Sequence, residues 1–218
     1  MIIKAKINVL ISGSNRGLGK SLAKIFNKNN KYNIIKCSRK KIKGYEILRL
    51  ENDIVIKKDI IRIIKNYKKI DILINNAGVN SKNNLLDDNI KLTKKIFQVN
   101  FFSHYLICKM VLKNMLKFKS GVFINISSGS GLKSENMQGA IDYSLSKSLL
   151  NNMVFKLANE LPNFIKIIAI CPGWIKTRMG GKNAPIKPDD SAKQIYKLID
   201  NGNFISGKFY RNGKVLNW

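Results

Sequence analysis

Lys6-Ile-Asn-Val-Leu-Ile-Ser-Gly-Ser-Asn-Arg-Gly-Leu-Gly19 is the stretch on which the fold turns. Its first half, residues 6–12, is an apolar run short enough for a buried strand. Its second half carries Gly13, Gly17 and Gly19 and opens a segment, 17–29, with Leu18, Leu22, Ile25 and Phe26 on one helical face. A glycine-rich turn between strand and helix lets the backbone approach a phosphate, and the helix N-terminus offers free N–H groups and a positive dipole end. Gly13, Asn15, Arg16, Gly17, Leu18 and Gly19 are therefore candidates for holding a dinucleotide. The glycine spacing differs from the usual G-x-G-x-x-G, so a plain strand–helix turn is the competing reading.

The same alternation continues outward. Strand-like runs fall at 32–37, 46–50, 70–75, 122–127, 165–171 and 204–210, and helical segments at 54–67, 89–117, 141–160 and 191–199. Asp189 or Asp190 is expected to cap the last helix. Strands this apolar, alternating with helices, predict a parallel sheet covered on both faces, and right-handed crossovers make it a doubly wound α/β fold of about seven strands. With no linker or repeat, 1–218 reads as a single Rossmann-type domain.

Composition narrows the class. The chain has 218 residues, 44% of them hydrophobic, which is ample for one core. No apolar run approaches the roughly 20 residues of a membrane helix, and the N-terminus runs into the first strand without the pattern of a signal peptide. Cys37, Cys108 and Cys171 have no metal-ligand spacing, so no metal is expected, and their odd, sparse number fits a reducing cytoplasm. The single histidine, His104, reads as a buried helix residue. The net charge of +27 is spread along the chain together with an excess of Ile and Asn, as A/T-rich codons produce, so no specific nucleic-acid partner is expected. Such a charge still attracts anionic ligands, a phosphorylated cofactor among them.

Two further places carry chemistry. An NAD site needs an acid after the second strand to bind the ribose 2′-OH. This chain has Lys36-Cys37-Ser38-Arg39-Lys40-Lys41 there, so Ser38 and Arg39, with Arg16 from the glycine loop, point to the 2′-phosphate of NADP(H). Tyr143 and Lys147 stand four apart on one helical face, where a cation favours phenolate. The pair can serve as an acid–base unit for carbonyl reduction or alcohol oxidation.

With both places in view the chain resembles the short-chain dehydrogenase/reductase family over essentially its whole length. Ser12–Gly19 is similar to the family's T-G-x-x-x-G-x-G loop, and Asn75-Asn76-Ala77-Gly78 to its N-N-A-G. Asn100, Asn125-Ile126-Ser127-Ser128 and Pro172-Gly173-Trp174-Ile175-Lys176-Thr177 follow in the family's order. Residues 172–185 and 206–218 further resemble the C-factor and sniffer-like carbonyl reductases. The resemblance implies an NADPH-dependent reductase of aldehydes or ketones. In it, Ser128 orients the carbonyl and Tyr143 supplies the proton. Lys147 binds the nicotinamide ribose and lowers the Tyr143 pKa. Asn100 kinks the long helix and holds a water connecting Lys147 to solvent. Asn76, Ala77, Gly78, Pro172, Gly173, Ile175 and Thr177 contact the cofactor, with Asp53, or Glu51 in its place, at the adenine. A homodimer through the helices at 89–117 and 141–160 is also implied. The rival reading is a catalytically idle dinucleotide-binding regulator on the same fold.

Overall fold

The computed structural model describes residues 5–80, 85–135 and 140–217. Eight strands form one sheet in the order β3-β2-β1-β4-β5-β6-β7-β8. They are β1 (Ile7–Ile11), β2 (Tyr32–Ser38), β3 (Glu46–Ile47), β4 (Ile72–Asn75), β5 (Gly121–Ile126), β6 (Ile165–Cys171), β7 (Phe209–Arg211) and β8 (Lys214–Leu216). Every pairing is parallel except β7 with β8. The helices are α1 (Gly17–Phe26), α2 (Asp53–Tyr67), α3 (Ile90–Phe97), α4 (Ser103–Lys117), α5 (Ile141–Glu160) and α6 (Pro188–Asn201). The sheet has an apolar cluster on each face. One joins Leu10, Leu73, Phe123 and Ile167 to residues of α2, α4 and α5. The other joins Val9, Ile74, Ile124 and Ile168 to residues of α1 and α6. Alternate strand residues feed opposite clusters, as period-two geometry requires.

The architecture is the doubly wound one expected, with eight strands in place of about seven. The extra strand comes from an Asn212-Gly213 turn. Both residues have positive φ, 51° and 74°, which suits a two-residue hairpin and folds β8 back on β7. The strand expected over 204–210 begins only at Phe209. Gly207, at φ 80°, turns the chain and donates its N–H to the Ile167 carbonyl at 2.7 Å. The last helix also starts earlier than expected. Lys187 is its N-cap and Pro188 its first residue, where a fixed φ costs no hydrogen bond. Asp189 and Asp190 lie inside the first turn, and Asp189 accepts a hydrogen bond from Ser21 of α1.

The helix expected over 89–117 is interrupted by a π-helical turn, Gln98–Phe102, between α3 and α4. Asn100 sits in that turn with no exposed surface. The N–H of Val79 donates to its Oδ1 at 2.9 Å. Its Nδ2 donates to the Val79 carbonyl at 2.9 Å and to Ser146 Oγ at 3.0 Å. The wide turn thus aims one amide at both the segment after β4 and the helix α5.

Candidate active site

The carboxyl ends of β1, β2, β4, β5 and β6 share one edge of the sheet, and the sequence-predicted residues meet there. Ser12 ties the first two loops together: the N–H groups of Asn76 and Ala77 donate to its Oγ at 2.9 and 3.0 Å. Asn76 Nδ2 donates in turn to the Ser12 and Gly13 carbonyls. Gly13 has φ 64°, and a Cβ on it would lie 3.0 Å from the Ala77 Cα, so the two loops pack backbone to backbone. A Cβ on Gly19 would lie 2.5 Å from the Gly13 carbonyl oxygen. These glycines are required by close approach between the loops.

Several features of this edge fit a phosphorylated dinucleotide. The N-terminus of α1 has Arg16 as its N-cap with no side-chain cap, and no acid in its first turn. Its first amides therefore keep their donors and their positive potential for a ligand. At the end of β2, Ser38 is buried, and its Oγ accepts from the Lys40 N–H at 3.2 Å. The acid nearest in register is Glu46, opposite Cys37, and it is taken by Arg62 and Asn66. Arg39 and Arg16 make no ion pair among the described residues. The Arg16 pKa is lowered, by burial first and then by the positive charges of Arg178 and Arg39. Asp53 is the first residue of α2, next to the N-cap Asn52, and both it and Glu51 are exposed.

The reactive side chains lie toward β5 and α5. Tyr143 and Lys147 are both nearly buried on α5, and Lys147 Nζ lies 5.7 Å from the Tyr143 ring centroid. Nζ donates to the Ile126 carbonyl at the end of β5, at 2.9 Å. Ser128 follows β5 and caps a short 3-10 turn, Gly129–Gly131. Its Oγ accepts from the Ser130 N–H at 3.2 Å and lies 2.9 Å from Ser130 Oγ. Ser127 points the other way, donating to Asn151 inside the core. Asn100 is close by: a Cβ on Gly78 would lie 3.5 Å from Asn100 Oδ1 and 3.9 Å from Lys147 Nζ.

Burial sets the protonation of this cluster. The Tyr143 phenol is pushed up by burial, against the pull of a hydrogen bond with Ser128. Lys147 falls from 10.5 to about 8, again through burial, with Cys171 opposing. The spacing of the pair had predicted a depressed phenol. Burial is the largest effect on the phenol, and it raises the pKa that the spacing alone would lower. His104 is buried, bonds the Ala77 carbonyl at 2.9 Å and drops to about 3, so it stays neutral and supports the loop after β4.

Pro172, Gly173, Ile175 and Thr177 lie after β6, in a loop closed by a bridge between Ile175 and Ile186. A Cβ on Gly17 would lie 3.3 Å from Thr177 Cγ2, so this loop rests on the start of α1. Trp174 is 58% exposed, and its indole N–H donates to the Gly180 carbonyl at 2.8 Å, so it pins the loop instead of filling the core. Trp218 lies outside the described residues.

Sequence reasoning missed a pair beside Ser128. Arg211 at the end of β7 forms an ion pair with Glu135 at 2.5 Å and donates to Cys171 Sγ at 3.2 Å. A Cβ on Gly129 would overlap both the carboxylate and the guanidinium. No local pattern marks this contact, which depends on β7 lying beside β6. Among the described residues no group of His, Cys, Asp and Glu could hold a metal, and no helix is long and apolar enough to cross a membrane.

Comparison with known proteins agrees with this geometry. The family model for short chain dehydrogenase matches residues 7–187. A 3-oxoacyl-(acyl-carrier-protein) reductase of Buchnera aphidicola is 33% identical, over 91% of this chain and 92% of its own. The carbonyl reductase Sniffer of D. melanogaster superposes with a TM-score of 0.89 at 25% identity, over 98% of this chain and 100% of its own. An NADPH-bound carbonyl reductase from chicken fatty liver superposes with a TM-score of 0.87 at 23% identity, over 98% of this chain and 100% of its own, which supports the fold.

Proposed function

The chain belongs to the short-chain dehydrogenase family of oxidoreductases, and from that premise we propose that it is an NADPH-dependent reductase of an aldehyde or ketone. The observation that carries this reading is the convergence of Ser128, Tyr143 and Lys147 on the edge of the sheet that also holds an uncapped helix N-terminus. Arg16 and Arg39, with no acid free at the end of β2, support NADPH over NADH.

The cofactor, when bound, supplies the hydride. The glycine loop holds its phosphates through the amides that open α1. Asn76, Ala77 and Gly78 line its path toward the site, and Pro172, Gly173, Ile175 and Thr177 cover it. Ser38 and Arg39 receive the 2′-phosphate, and Asp53 lies on the adenine side. Ser128 hydrogen-bonds the substrate carbonyl oxygen and orients it. Tyr143 donates its proton to that oxygen as it gains charge, which suits a phenol kept protonated by burial. Lys147 binds ribose hydroxyls with the donors not used on Ile126, and its charge favours the phenolate that proton transfer leaves. Asn100 holds the water through which the lysine reaches solvent.

Residues 1–218 act as one dinucleotide-binding unit in the cytoplasm, and a homodimer forms through α4 and α5. Exposed Phe102 at the end of the π turn, Tyr105 on α4, and Leu145, Leu149 and Phe155 on α5 support that pairing.

The test is NADPH oxidation against a panel of aldehydes, ketones, quinones, pteridines and a 3-oxoacyl thioester, with NADH compared on the best substrate. Tyr143→Phe is expected to abolish turnover while NADPH still binds. Retained turnover sinks the Tyr143 assignment, and a preference for NADH sinks the Arg39 argument. A protein that binds NADPH but reduces nothing in the panel favours the idle regulator.

A further inference from the structure

Three arginines border the mouth of the dinucleotide groove, and the third has no role in the reading above. Arg16 comes from the glycine loop and Arg39 from the end of β2. The third, Arg178, comes from the loop after β6, more than 130 residues further along the chain. None of the three forms an ion pair among the described residues, although eight other ion pairs occur there. Like charges left together without a carboxylate are a cost that a bound polyanion removes.

The loop is built to hold Arg178 at that place. Its neighbours on each side touch opposite walls of the groove: Thr177 packs on Gly17, and Met179 Cε lies 3.9 Å from where a Gly78 Cβ would be. Residues 177–179 therefore span the groove from the start of α1 to the end of β4. Behind them the turn is closed tightly. The Gly181 N–H donates to the Thr177 carbonyl at 2.9 Å and the Gly180 N–H to Thr177 Oγ1 at 3.2 Å. A Cβ on Gly180 would overlap the Ile175 carbonyl oxygen, so only glycine fits there. Lys176 and Lys182 join Arg178 around the cleft beside this turn, where no carboxylate is among the lining residues. After burial, the positive charges of Arg178 and then Arg39 lower the Arg16 pKa.

Resting on the dinucleotide reading above, we infer that Arg178 is a third phosphate-binding arginine, reaching from the loop after β6 to the cofactor's pyrophosphate. Its position beside Thr177, over the helix N-terminus, places it at the pyrophosphate and not at the 2′-phosphate, which lies by Arg39 at the end of β2.

The test is calorimetric titration of the ligand-free, full-length chain with NADPH and with NADH. Arg178→Ala is expected to weaken both by a similar factor, about tenfold, as for loss of a charge-assisted hydrogen bond. Arg178→Lys is expected to recover part of that loss, because it keeps the charge without the planar fork. Arg39→Ala is expected to weaken NADPH alone. Arg178 is exposed, so its replacement leaves the fold intact, and circular dichroism checks this. Wild-type affinity for both cofactors in Arg178→Ala overturns the proposal, and so does a loss confined to NADPH. A wild-type chain that binds neither dinucleotide overturns the underlying functional reading as well.

Discussion

Lys147 weakens the fold it belongs to, and Lys147→Met is expected to make the protein more stable. The side chain is 3% exposed, and burial lowers its pKa from 10.5 to about 8. At about 1.4 kcal/mol per pH unit, that fall costs the folded state about 3–4 kcal/mol near neutral pH. Methionine has a similar length and carries no charge. The substitution also leaves the Ile126 carbonyl without its donor, which takes back about 1.5 kcal/mol. The net gain is about 2 kcal/mol, or about 6 °C in Tm for a domain of this size. The sign with pH follows from the lowered value. Between pH of about 8 and 10.5 the unfolded chain binds the extra proton, so the stability of the wild type rises across that window. The variant lacks that rise. Urea denaturation of both ligand-free proteins at several pH values isolates the effect, because the other lysines and tyrosines titrate in both. The expected result is a variant that is more stable below pH 8, with an advantage that shrinks above it. A variant less stable than wild type near neutral pH, or a difference that stays constant across the window, refutes the reasoning.

Two other outcomes follow from named contacts. Gly129→Ala forces apart the Glu135–Arg211 pair that rests on it, one residue from Ser128. It is expected to lower kcat about tenfold or more while NADPH affinity, measured by titration, stays within about twofold; an unchanged kcat removes the pair from any role in placing Ser128. Leu149→Arg puts a charge on the exposed apolar face of α5 and is expected to convert a dimer to a monomer in sedimentation at micromolar concentration; a wild type that sediments as a monomer ends the dimer proposal.

What the sequence made legible, and what it hid, divides by range. β6 and α5 fall at the predicted bounds because their signals are local: a β-branched run and a long segment ended at Leu161 before Pro162. Ser128, Tyr143, Lys147 and Asn100 were legible by spacing and motif, and the fold brings them to one edge of the sheet. The break at Asn100 was legible from the family motif but not from the apolar period, which one extra residue in a turn barely shifts; hydrogen bonds to Val79 and Ser146 hold it. Arg211 and Glu135 were hidden for a different reason: their pairing depends on β7 lying beside β6, and no spacing along the chain encodes that strand order. The largest departure concerns charge. Four-residue spacing places an ammonium by a phenol, yet spacing carries no information on how much water each has lost. Burial holds the phenol up and the ammonium down, so the pair leans toward its neutral forms. A buried ammonium with one protein acceptor gains from any further oxygen that enters the groove beside Gly78. The cationic mouth formed by Arg16, Arg39 and Arg178 has the matching deficit at the other end of the same groove. On the dinucleotide reading proposed above, both ends suit one ligand that carries phosphate at one side and hydroxyl groups at the other, and its binding relieves the cost at each end.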